Sequence, residues 1–157
     1  MEHKAQRALE KCMAICSRSE KCISDIQTKL DKWDIQAADS QKIIDALIAE
    51  KFIDEERYVR FFVRDKLRFN HWGRIKIAFM LKGKGIEQNS ISDAISHIDD
   101  EEYSQILEDI LIQKKKSIKA SNQYELKSKL VRFAQSRGFE YDTINRVLHK
   151  IDADTED

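Results

Sequence analysis

Four arginines, Arg57, Arg60, Arg64 and Arg68, recur at intervals of three and four residues. On a helix turning 100° per residue, that spacing gathers them into one arc of about 80°. A guanidinium fork matches phosphate or carboxylate oxygens two at a time, so four on one face are chemistry for holding an anion. Phe61 projects beside the arc and offers an apolar contact, while Tyr58, Val59, Phe62 and Val63 point largely the other way. The basic run continues through Arg74, Lys76, Lys82 and Lys84, with His71 and Trp72 between. From 57 to 84 there are nine Lys or Arg and one acid, Asp65, in a chain of 157 residues that carries 28 charges of each sign. Residues 1–56 hold nine basic against twelve acidic residues, and residues 85–157 hold ten against fifteen. A cationic strip on a mildly acidic body points to an anionic partner, either a nucleic-acid backbone or an acidic protein groove. The other reading of the same pattern is a solvated basic face, with Phe61 filling a junction to a neighbouring unit. The continuation of the run past one helix favours the binding face.

Catalytic chemistry finds no comparable pattern. His3, His71, His97 and His149 are far apart, and no Ser–His–acid or metal-ligand set stands at a diagnostic spacing. The segment Lys82-Gly-Lys-Gly85 has its glycines where a helix ends, whereas a phosphate-cradling loop needs them before a helix and followed by Lys-Ser or Lys-Thr. Cys12, Cys16 and Cys22 are odd in number and lack partner ligands, which suits reduced, structural cysteines in a reducing compartment. The expectation is a protein that is not an enzyme and needs no metal or other cofactor. No run approaches the ~20 apolar residues of a membrane span, and the start Met1-Glu-His-Lys has no signal-peptide core. A cytoplasmic protein with no membrane partner follows.

The elements that must position the strip are helices. The chain has no proline and four glycines, and it shows no sustained apolar alternation of the kind a strand needs. It also repeats. Ile26, Leu30, Ile35, Ile44 and Leu47 recur as Ile77, Leu81, Ile86, Ile95 and Ile98, and again as Leu130, Ala134, Phe139, Leu148 and Ile151, with periods of 51 and 53 residues. The first two positions lie on one helix face. Gly85 and Gly138 then stand where a left-handed residue ends a helix, and Ile86 and Phe139 fold back onto that helix. Asp34 replaces glycine in the first unit, which predicts a looser turn there. Each unit has one more helix in front, near 3–17, 55–69 and 101–118. Ser19, Asp39 or Ser40, Asp54, and Asn122 with Glu125 are candidate helix starts. Trp72 and Gly73 open the fifth helix, with Trp72 expected to pack. Lys114, Lys115, Lys116 and Lys119 complement the end of the seventh helix, and Asp99, Asp100, Glu101 and Glu102 its start. The expected fold is all-α: three tandem three-helix repeats forming an elongated, curved array. The units fall at 1–53, 54–99 (the basic one) and 100–157, the last with a short acidic tail.

Several segments resemble one family. Phe52-Ile-Asp54-Glu-Glu-Arg57-Tyr58 is similar to the start of that family's second unit. Leu81-Lys-Gly-Lys-Gly85-Ile86 resembles its recurrent helix ending. Arg132-Phe133-Ala-Gln-Ser-Arg137-Gly138-Phe139 with Tyr141-Asp142-Thr143-Ile144 resembles its last unit, and Arg18-Ser19-Glu20 the segment before its second helix. The chain resembles the RecX family, regulators of the RecA recombinase, over nearly all of residues 5–151. It departs from the pattern at Asp34, Lys51 and Val59. The resemblance implies a non-enzymatic modulator of recombination and DNA repair. Its partners would be the RecA filament and single-stranded DNA, with inhibition the expected effect and no cofactor required. A monomer is expected. The residues supplying the contact would be Arg57, Arg60, Phe61, Arg64, Arg68, Arg74, Lys76, Lys82 and Lys84. A nucleic-acid-binding helical module independent of RecA, and a scaffold for an acidic protein, are the alternatives left open.

Overall fold

The structure, a computed structural model, describes residues 2–156, with side chains for 2–152. Among these residues there are nine helices and no strand: α1 (His3–Arg18), α2 (Ile23–Lys32), α3 (Ala37–Ala49), α4 (Glu55–Arg68), α5 (Arg74–Gly83), α6 (Gln88–Ser96), α7 (Asp100–Lys115), α8 (Gln123–Ser136) and α9 (Tyr141–Glu156). They pack in consecutive triplets, α1–α3, α4–α6 and α7–α9, so the chain is built of three tandem three-helix repeats. The side chains of the expected acidic tail beyond 152 lie outside the described residues. None of the helices is long and apolar enough to cross a membrane.

The repeated apolar positions form the cores. Ile26, Leu30, Ile44 and Leu47 are buried, as are Ile77, Leu81 and Ile86, and Leu130, Ala134, Phe139, Leu148 and Ile151. The turns behind them follow the same logic. Gly85 (φ 78°) and Gly138 (φ 93°) are left-handed. The N–H groups of Ile86 and Phe139 donate back to Leu81 and Ala134 at 3.2 and 3.1 Å. The first unit is no looser. Asp34 takes φ 57°, and Ile35 N–H reaches Leu30 O at 3.0 Å. The Asp34 carbonyl also accepts a bond from Lys4 Nζ at 3.2 Å, which ties this turn to α1.

Helix starts divide by whether the cap is local. Asp54 and Asn122 cap α4 and α8 by accepting the N–H groups of Arg57 and Glu125. Glu125 bonds to Ser121 instead of completing the box on Asn122. Ser19 does not start α2, because it ends α1. The cap of α2 is Cys22, whose N–H is held by Asp25 at 3.2 Å. Neither Asp39 nor Ser40 caps α3, whose N-cap is Gln36, three residues before Asp39. Ser40 instead lies buried, with its hydroxyl aimed at Ile35 O at 3.5 Å.

The nine helices have two cores, not three. One is made by α1–α3 with Ile53. The other runs without a break through α4–α9 and takes in Cys22 from the first unit. Burial pushes the Cys12 thiol up to about 11, and Cys16 beside it adds to the shift. Burial likewise raises Cys16 and Cys22, so all three free thiols are poor nucleophiles.

Candidate anion-binding site

Helix α4 sits where the units meet. Its buried face is Tyr58, Val59, Phe62, Val63 and Leu67, and it packs on α5, α6 and α7. Glu55 and Glu56 in its first turn and Lys66 and Arg68 in its last suit the helix dipole. The arginine arc therefore faces outward, as its spacing requires. Phe61, beside it, is 40% exposed.

The arc's two ends are engaged by carboxylates of neighbouring units. Arg57 Nε lies 2.6 Å from Glu20 Oε1, and its other arm donates to the carbonyls of Lys51 and Phe52. Arg68 grips Glu102 with two bonds, at 2.7 and 3.3 Å. These arginines bridge α4 to the first and third units. The centre differs, for Arg60 and Arg64 are exposed and have no ion-pair partner among the described residues.

The rest of the strip divides in the same way. Arg74 bonds to Asp100 at 2.8 Å and Glu140 at 2.9 Å and lies 3.9 Å from the Tyr103 ring centre. The Tyr103 hydroxyl donates to Glu140 and accepts the Arg74 N–H at 3.0 Å. Burial works against the Arg74 charge, and Glu140 outweighs it. Burial and the Glu140 bond together raise the Tyr103 hydroxyl. Lys84 Nζ meets Asp25 at 2.6 Å, across to the first unit. Lys76 rests over the Trp72 ring, 4.6 Å from its centre, and Trp72 packs edge-on against Phe62. Lys82 is exposed and unpaired among the described residues. Four of the eight candidate contact cations are thus held by carboxylates from the first or third unit. Arg60, Arg64, Lys76 and Lys82 are not.

A groove of about 500 Å³ opens beside the arc, between α4, α6 and the start of α7. Arg60, Arg64 and Arg68 line one wall, and Asp93, Asp99 and Glu102 the other. Val63, Leu67, Ala94 and Ile98 add apolar lining. A phosphate backbone laid here would meet three carboxylates. A polypeptide carrying both signs of charge and apolar side chains suits the lining better.

Helix α5 contributes a feature that the charge pattern concealed. Ile75 and Phe79, one turn apart, are 57% and 73% exposed. Lys82 shares this face. Counting periodicity with Ile77 and Leu81 as core would have left them over, which was the available signal.

Comparison with known proteins supplies the rest. A family model described as "RecX, second three-helix domain" matches residues 54–95, and one described as "RecX, third three-helix domain" matches 100–148. "Regulatory protein RecX" of Clostridium perfringens (strain SM101 / Type A) is 30% identical over 139 residues, 85% of this chain and 63% of that protein. The chain thus spans about three fifths of that relative's length. "Regulatory protein RecX" of Clostridium botulinum (strain Alaska E43 / Type E3) is 31% identical over 150 residues, 90% of this chain and 68% of that protein. The crystal structure of RecX from Lactobacillus salivarius superposes with a TM-score of 0.81 at 20% identity, covering 96% of this chain and 97% of that one. That likeness establishes the fold.

Proposed function

The chain belongs to the RecX family, and from that premise we propose that it is a non-enzymatic modulator of a RecA recombinase. It binds the recombinase filament on single-stranded DNA, lowers its activity, and so regulates recombination and DNA repair in the cytoplasm. Relatives named as regulatory proteins support the regulatory role. Arg60, Phe61 and Arg64, with Lys76 and Lys82, are the contact residues in this reading. Arg57, Arg68, Arg74 and Lys84 act one step back, fixing how the units at 1–53, 54–99 and 100–157 present that surface.

The observation that carries the reading is the groove beside α4, with cations on one wall, carboxylates on the other and apolar side chains between. Such a lining favours a protein surface over bare DNA, so RecA takes the larger share of contacts at the middle unit. The test is RecA ATPase on single-stranded DNA at low salt. Added wild-type protein lowers the rate, and Arg60→Glu/Arg64→Glu restores it at least tenfold in the protein concentration needed. An unchanged rate at micromolar wild-type protein would sink the proposal.

A further inference from the structure

The first unit, acidic in sum, contains a cleft with no acid in its lining. It has a volume of about 350 Å³ and lies between α1 and the end of α2, with Lys4, Arg7 and Lys11 on one side, Trp33 on the other, and Ala8 and Ile35 between. At 100° per residue, Lys4, Arg7 and Lys11 fall within an arc of about 60°. Among the described residues none of the three has a carboxylate ion-pair partner. Lys4 donates to the Asp34 carbonyl. Lys11 Nζ lies over the Trp33 ring, 5.2 Å from its centre. Trp33 ends α2, just before left-handed Asp34, and is half-buried: it packs on the first core and leaves part of its indole in the cleft.

From this geometry we infer that the cleft between α1 and Trp33 binds single-stranded nucleic acid, with Lys4, Arg7 and Lys11 on its phosphates and Trp33 stacked on a base. Two features select this ligand. Lys4 lies in the first turn of α1, against the positive end of the helix dipole, where the N-cap Glu2 makes no capping bond. An anion arriving there relieves both. The pairing of a cationic track with an accessible aromatic face is the arrangement that holds single strands without regard to sequence. Lys11 marks the free face of the indole: a base takes its place, and the ammonium moves to the adjacent phosphate. An acidic peptide would satisfy the lysines and arginine but leave the indole face unused.

The site stands apart from the α4 groove, and its test contains no RecA. Trp33 and Trp72 are the chain's two tryptophans, so Trp72→Phe leaves Trp33 as the sole indole reporter. Titrating that variant with oligothymidylate at low salt quenches its fluorescence saturably. The affinity falls with salt at a log–log slope of about 2, as expected for three phosphate contacts. Arg7→Glu/Lys11→Glu, both exposed positions, weakens binding by at least tenfold while circular dichroism is unchanged. Trp33→Ala costs roughly tenfold by the same oligonucleotide's anisotropy, and Trp33→Phe much less. Three results would overturn the inference: no quenching at low salt, oligonucleotide binding that Arg7→Glu/Lys11→Glu leaves intact, or equal quenching by polyglutamate that displaces the oligonucleotide.

Discussion

Between α1–α3 and α4–α6 the contact rests on Arg57 with Glu20, Lys84 with Asp25, and the buried Cys22. Between α4–α6 and α7–α9 the ion pairs of Arg68 and Arg74 are joined by one continuous core and by backbone bonds. Gly73 N–H donates to Arg137 O at 2.7 Å, and Ile75 N–H to Gly138 O at 3.0 Å. A Cβ on Gly73 would overlap the Gly138 carbonyl, and one on Gly138 would overlap the Lys76 side chain. The first junction is therefore a clasp of partly solvated charges, each worth little by itself. The second is a close fit of main chain on main chain. The contrast explains why a strip rich in cations is only half available for a partner. Arg57, Arg68, Arg74 and Lys84 join units, and the charge that remains lies on Arg60, Arg64, Lys76 and Lys82.

Breaking the second junction should have the largest effect. Gly138→Val both strains a left-handed residue and drives a side chain into Lys76, so a loss of at least about 3 kcal/mol in urea unfolding is expected. Gly85→Ala is the control. It shares the left-handed backbone but has open space around it, and about 1 kcal/mol should suffice. Equal losses would mean that the close approach of Gly73 and Gly138 contributes nothing.

Next in size is Arg74→Ala. It removes the cation from Glu140 and Asp100 and leaves the Tyr103 ring without its stacked guanidinium. A loss of about 2 kcal/mol is expected, and Arg74→Lys, which cannot stack or fork, should recover only part of it.

The smallest effect belongs to the first junction. Burial alone would raise the Asp25 carboxyl, but the Lys84 ammonium and the Cys22 N–H outweigh it and hold it below its usual 3.8. A depressed carboxyl contributes stability that is present above pH 3.8 and lost as pH falls through the folded value. Lys84→Met should therefore cost about 0.5–1 kcal/mol near neutrality, and the gap from wild type should close as pH drops below 3.8. A gap that persists at low pH would assign the loss to packing and not to the ion pair.

Much of this architecture was legible because its causes are local. Apolar spacing marks a face, a glycine after it marks a helix end, and Asp54 stands one residue before the helix it caps. The pairings that redistribute the strip are not local. Arg57 and Glu20 are 37 residues apart, Lys84 and Asp25 59, and Arg74 and Glu140 66. No period within a helix announces which acid will meet which base. The same limit misplaced Ser19, whose type suits a cap but whose position follows from α1 continuing to Arg18. Charge sums hid the α1 cleft for another reason. Glu2 and Glu10 cancel Lys4 and Arg7 in a total, yet Glu2 is the N-cap before α1 and Glu10 falls outside the arc of Lys4, Arg7 and Lys11, and neither lines the cleft. Projecting α1 onto a wheel would have separated them.

The bonds at Gly73 also set an order of events during synthesis. The partners that complete this corner, Arg137 and Gly138, are translated about 65 residues later. At roughly 5–20 residues per second that is an interval of several seconds. The first unit has its whole core in hand once Ile53 has emerged. The middle unit, exposing Phe79 and its unpaired cations, must wait for the third before its α4–α5 corner can close. During that interval the nascent chain is a finished module followed by an unfinished one.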